Sequence, residues 1–407
     1  MKKSLLVVAL FFATSIMLAQ NTSTVNQTGD DGISTVIQQS NGNHAIQNQS
    51  GLANEVLIKQ TGSDNYASQL QTEDWQAAKV LQAGNKNKAW QKQTQEGTSW
   101  DTNNVFIDQS GDRNNARQTQ SSYAGMEDIN QSGNNNIASQ DQSEGSFQNA
   151  TAIQSGNYNV SRQIQASHFW ATSVYVRQSG DGNYASQSQV GPIAVANAHV
   201  YQSGNNNIAT QDQQGKYPYV MVNQSGDYNT SKQIQYGWSM KGIVVQSGNR
   251  NRAEQLQFQN ENEYRLAKIN QSGNSNLAKQ YQGSDGHANE ATINQSGNNN
   301  LAKQNQNGDY STAKIIQKGN DGQAFQNQYG IGDNSVIIQK GGNNNYGLQD
   351  QVGADARLVQ DGSNNWSKQF QEGTDNLSNV SQMSNGHWSI VTQSGMGNSN
   401  IIIQNNN

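Results

Sequence analysis

From Gln38 to Gln382, apolar, small and amide residues alternate in one phrase that returns about every 22 residues. The clearest copy reads Ile129-Asn130-Gln131-Ser132-Gly133-Asn134-Asn135-Asn136-Ile137-Ala138-Ser139-Gln140-Asp141-Gln142. Taking the first Gln of each copy as position zero gives the anchors Gln38, Gln60, Gln82, Gln109, Gln131, Gln154, Gln178, Gln202, Gln224, Gln246, Gln271, Gln295, Gln317, Gln339 and Gln360. Two residues before each anchor stands Val, Ile or Leu, with Ala152 the one reduced copy; four before it is often Ala or Val. After it come Gly at +2 in most copies, Asn or Gly usually at +5, Ala or Ser at +7, and Gln at +9 and +11. One extra residue in the Gln339 copy moves its last pair to Gln349 and Gln351. Residues of one parity share a face of a strand, and alternation over both halves favours strand over helix. Each copy therefore predicts strand–turn–strand, then a variable connector. Gly at +2 and Asn or Gly at +5 are expected to supply the positive φ of the reversal.

A fixed short period marks one small unit stacked many times. The predicted fold is all-β: a β-solenoid with about 22 residues per coil, its equivalent strands about 4.8 Å apart in two facing parallel sheets. The stack explains why a core would hold amides. A buried amide without partners costs about 1–3 kcal/mol, and one coil has no partner for it. Identical amides in successive coils satisfy one another as a ladder. The ladder is placed on Gln109, Asn114 and Gln120; Gln131, Asn136 and Gln142; Gln202, Asn207 and Gln213; Gln271, Asn276 and Gln282; and Gln295, Asn300 and Gln306. Position +9 is left open, because inward Gln at both +9 and +11 makes a very polar arch.

The chain divides into residues 1–19 as a signal peptide, 20–33 as a flank with a half repeat, 34–373 as about fifteen repeats, and 374–407 as further half repeats. Lys2 and Lys3 followed by an apolar run to Ala19 have the form of an export signal, too short for a spanning helix. Anchors spaced by 11 continue at both ends, at Gln27, Gln382, Gln393 and Gln404. With no evident cap, Val25 and Gln27 at one end and Ile401, Ile403 and Gln404 at the other are the candidate polymerising strands. Pro192, Pro218, Trp75, Trp100 and Trp170 fall in connectors.

Composition sharpens this picture. Hydrophobic residues make up 32% of the chain and mean hydropathy is −0.88, values that suggest disorder where no period is present. The net charge of −5 argues against a specific nucleic-acid binder, which needs clustered Lys and Arg. There is no cysteine, so disulfides, Cys-based zinc sites and Cys nucleophiles are excluded. The five histidines share no metal-binding spacing, and His44 falls in a turn. Calcium repeats, phosphate loops and nucleophile elbows are absent from the sequence. No catalytic, cofactor or metal residue is assigned.

The frame Gln-x4-Asn-x5-Gln, as in Gln131, Asn136 and Gln142 or Gln295, Asn300 and Gln306, resembles the curlin repeat of curli fibre subunits. The chain differs in carrying Gln at +9, in having more repeats, and in mostly lacking the Ser six residues before the anchor, which Ser311 keeps. The resemblance implies a secreted β-solenoid that polymerises with itself into an amyloid-like fibre of biofilm matrix. It also implies a nucleator subunit and an outer-membrane secretion pore as partners. The rival readings are a monomeric surface-binding solenoid (an adhesin or ice-binding protein), a polysaccharide-degrading enzyme and a disordered tract. The varied outward residues disfavour the first, the missing site the second, and the rigid spacing the third.

Overall fold

The computed structural model describes residues 20–94, 103–167, 171–191, 195–259, 264–283 and 287–406. Among them the regular elements are all strands. The chain is a β-solenoid whose parallel coils each take about 22 residues. It divides into two compact units, Met1–Asn205 and Asn206–Asn407.

In unit 1, strand Met126–Ser132 pairs in parallel with Asn103–Ser110 on one side and Asn149–Ser155 on the other. Its partner half, Ile137–Ser146, pairs with Asn115–Tyr123 and Val160–Ser167. Each half of a coil thus lies on the same half of the next coil, and the two halves build two sheets. Anchor meets anchor without slippage, as in Gln109↔Gln131↔Gln154. Unit 2 repeats the scheme, with Gln271↔Gln295↔Gln317 in one sheet and Gln280↔Gln304↔Gln326 in the other. Near its end, Tyr346–Asp361 and Trp366–Met383 each run through a corner as one long strand, bulged between Val352 and Ala354. Gln382 and Gln393 belong to one further complete coil, and Ser399–Asn405 adds a half. At the other end Thr22–Thr28 is a half coil laid on His44–Ser50.

The apolar part of the core is a match of large against small. Ile58, Val80, Ile107 and Ile129 from one sheet pack with Ala67, Ala89, Ala116 and Ala138 from the other, all buried. Unit 2 shows the volume rule by exception. Gly347 replaces the alanine, and a Cβ built there lies 2.7 Å from Leu358 Cδ2, so the longer Leu358 occupies the missing methyl's space.

The reversal differs from the expected one. Positive φ occurs at +2 and at +4, as in Gly133 (96°), Asn135 (56°), Tyr158 (58°) and Arg113 (58°). The corner asparagine at +5, which is Asn345 in the copy with the extra residue, does not have it in the described coils. Glycine is needed at +2 for a second reason: a Cβ on Gly133 would sit 2.1 Å from the carbonyl oxygen of Gly156 in the next coil. His44 is also not in a turn. It opens strand His44–Ser50, bonded to Thr22 Oγ1 and stacked on Tyr66 at 5.3 Å. Trp75 is a corner residue with φ of 55°, and Pro218 fills a buried corner position. Trp100, Trp170 and Pro192 lie outside the described residues.

Candidate functional site

Three columns of glutamine run through each unit. The anchor column is bonded Gln82–Gln109–Gln131–Gln154 at 2.8 Å per step in unit 1. In unit 2 it runs Gln271–Gln295–Gln317–Gln339 at 2.9, 2.9 and 2.8 Å. Every step has one polarity: Nε2 donates to Oε1 of the glutamine one coil further along the chain. The second N–H of each amide crosses the core to a backbone carbonyl. Gln131 Nε2 donates to Asn115 O at 3.2 Å, and Gln295 Nε2 to Leu277 O at 3.1 Å. One amide therefore satisfies an axial partner and a facing strand together, which strand hydrogen bonding alone does not do.

Position +9, open from sequence, faces inward. Gln140 is buried, donating to Gln163 Oε1 at 2.8 Å and to Asp128 O at 2.9 Å. The +11 column carries Gln120–Gln142 at 3.3 Å, Gln142–Gln165 at 2.9 Å and Gln282–Gln306 at 3.0 Å. Gln213 donates to Gln235 at 3.3 Å and Gln178 to Gln202 at 2.9 Å. The polar arch is stable because both donors of each amide have somewhere to go.

Asparagine at +5 fastens the corner. Asn136 Nδ2 donates to Ser132 O at 3.2 Å, to Gly156 O of the next coil at 2.8 Å and to Asn114 Oδ1 at 3.1 Å. Its Oδ1 accepts from Asn159 N at 3.0 Å. Asn276 and Asn300 repeat this, and Asn207 donates to Gly226 O at 2.7 Å. An amide rather than a positive-φ residue is what the site requires, because only an amide both donates across the turn and accepts from the next coil.

A fifth inward polar column stands six residues before the anchor, a position the sequence marked only by a mostly missing Ser. Asn54, Gln76, Asn103, Asn289, Ser311 and Asn376 occupy it, all buried. Asn54 Oδ1 accepts from Gln76 N at 2.9 Å and Asn376 Oδ1 from Asn398 N at 3.0 Å. It is the corner opposite the +5 column. Its residue type changes from coil to coil, so only its phase betrays it. Arg265 stands there fully buried, its Nη1 donating to the carbonyls of Phe258 and Gly283.

At the chain's far strand, Ile401 and Ile403 point outward and are 67% and 72% exposed. The residues in phase with the core are instead Ile402, on Val380, and Gln404, which accepts from Gln382 at 2.9 Å. At the near strand Val25 and Gln27 lie in phase with the inward Gln47 and Gln49. Residues 286–319 match the model of the curlin associated repeat. That span carries a curlin associated repeat. The matched span takes in Gln295, Asn300 and Gln306, and equivalent columns occur within each unit. No curated protein matches the sequence. Repeat and solenoid together fit a structural, curli-like protein. Among the described residues no helix is long and apolar enough to cross a membrane.

Proposed function

We propose that this protein is a secreted, non-enzymatic structural subunit. It polymerises outside the cell into curli-like amyloid fibres of biofilm matrix and adhesion, by adding copies end to end. The observation that carries this reading is the polarity of the amide ladder. Gln404 already accepts from Gln382 and gives one N–H to Trp388 O at 2.9 Å, which leaves an axial donor among the described residues. Gln38 spends its two N–H groups on Gln60 Oε1 and Thr22 O, which leaves an axial acceptor. A second copy with Gln38 over Gln404, Val36 over Ile402 and Gln27 over Gln393 continues both sheets in phase. Joining two like ends sets donor against donor or acceptor against acceptor. Edge strands of this kind are templates for further pairing.

The family's extracellular fibre subunits supply the rest of the proposal. The apolar start is a signal peptide, export runs through an outer-membrane pore, and a nucleator subunit starts growth. Neither specific nucleic-acid binding nor membrane insertion has a part in it. The test is thioflavin T fluorescence of residues 20–407 diluted from denaturant, with and without sonicated seeds. A lag abolished by seeds, with reflections near 4.8 and 10 Å from the fibres, supports templated addition. A chain that stays β-rich and monomeric at high concentration refutes it and leaves a surface-binding solenoid.

A further inference from the structure

One inward column of unit 1 contains a residue unlike its neighbours. Four before the anchor stand Val56, Ala78, Val105, Ala150 and Val174, all buried, and among them Glu127. Glu127 is 2% exposed, in register with Val105 on one side and Ala150 on the other, and neither side chain has a polar atom to offer. Among the described residues neither carboxyl oxygen makes a hydrogen bond of ordinary geometry; the Gln142 backbone N–H is the polar group that approaches it. The amides that bracket it across the core are already committed. Gln140 Nε2 donates to Asp128 O and Gln163 Oε1, and Gln142 Nε2 donates to Met126 O and Gln165 Oε1.

The nearby ionisable groups do not compensate. Asp128 lies on its own strand, Asp108 on the preceding coil, and Asp141 and Glu144 on the facing strand. Strand Asn149–Ser155 has none. Arg117 and Arg162 of the facing sheet are exposed and stand in register with the outward Ser139, not with the core. Burial holds the Glu127 carboxyl well above the usual carboxylate range; Asp141 adds to this, and the Gln142 backbone amide opposes it only in part.

We propose that Glu127 makes its coil a pH-sensitive gate in the stack: the coil seats with the carboxyl protonated, and ionisation loosens it together with the coils on either side. The gate rests on the solenoid fold and not on polymerisation, so it stands or falls apart from the fibre reading. The sign follows from linkage. A carboxyl whose folded pKa is raised holds more protons folded than unfolded. Its contribution is complete below the unfolded value, about 4.3, and is lost as pH rises through the folded value. Acid therefore favours ordering of this coil and its neighbours, and neutrality disfavours it.

The test is amide hydrogen exchange on the full chain between about pH 4 and pH 8, corrected for intrinsic rates. Strands Asn103–Ser110, Met126–Ser132 and Asn149–Ser155 are followed against the unit 2 strand Glu290–Ser296. Protection of the three strands is expected to fall relative to the reference as the pH rises, and the direction of that change is the readout. In Glu127→Gln and Glu127→Ala this fall is expected to vanish. Alanine already occupies the column at Ala78 and Ala150, so that variant keeps a residue the coil accepts. A wild-type profile that is flat, or that survives unchanged in both variants, overturns the proposal.

Discussion

Gln131→Ala tests whether the amides hold the stack or merely fill it. Gln131 is fully buried and makes three side-chain bonds: to Gln154 Oε1 at 2.8 Å, to Asn115 O at 3.2 Å, and from Gln109 Nε2 at 2.8 Å. Alanine removes all three. It strands the Gln154 oxygen and one N–H of Gln109, which keeps only its bond to Lys88 O at 3.0 Å. Each buried orphan costs about 1–3 kcal/mol, and the lost methylene adds about 0.8 kcal/mol before any cavity cost. The expected local destabilisation is roughly 3–7 kcal/mol. Asn130→Ala, one residue away on the exposed face, should stay within about 0.5 kcal/mol. Because a stack is held by nearest neighbours, the effect should centre on strands Asn103–Ser110, Met126–Ser132 and Asn149–Ser155 and fade in distant coils. Hydrogen exchange resolved by strand reads this directly. Gln131→Leu is the deciding companion: it keeps the volume but not the bonds, and should be nearly as damaging as alanine. If leucine is neutral, or if Gln131→Ala is no worse than Asn130→Ala, the ladder argument fails.

Three further outcomes follow from the same geometry. Gly133→Ala should expose its coil to rapid exchange, because φ is 96° and the added Cβ meets Gly156 O at 2.1 Å; Gly332→Ala, with φ of 72° and nothing within 4 Å, should cost only the conformational strain. Gly347→Ala should destabilise by about 1–3 kcal/mol through overpacking, and Leu358→Val should recover most of that in a double-mutant cycle of denaturant midpoints. Ile402→Lys places a charge on the core face of the last strand, in register with Val380. It should abolish elongation from wild-type seeds in the thioflavin T assay while the exchange of strand Glu290–Ser296 is unchanged. Normal elongation speaks against that edge as the growing end.

The sequence made the columns legible because parallel stacking converts period into contact. A residue and its copy about 22 positions on are neighbours in the fold, so Gln109, Gln131 and Gln154 could be aligned by counting alone. Counting ran out where contacts are not between copies. The cross-core bonds from Gln140 to Asp128 O and from Gln142 to Met126 O join opposite sheets, and no period records them. They are what makes +9 tolerable inside, and so that direction stayed open. The corner asparagine was misread for a related reason. Asn favours both positive φ and side-chain bonding, and the sequence does not separate the two. The structure does: Asn135 takes the left-handed turn, and Asn136 takes the amide bonds. The corner six before the anchor is faint in the sequence because its requirement is weaker. Any small or polar group that reaches the neighbouring turn suffices, as Asn54, Ser311 and Asp333 each do by different bonds. A column is therefore strict in sequence to the degree that one side chain must serve as donor and acceptor at once. That is why glutamine at the three inner positions hardly varies while the outer face and this corner drift. Where an otherwise apolar inner column carries a carboxyl, at Glu127, the amide logic offers no partner, and there a physical cost remains for pH to act upon.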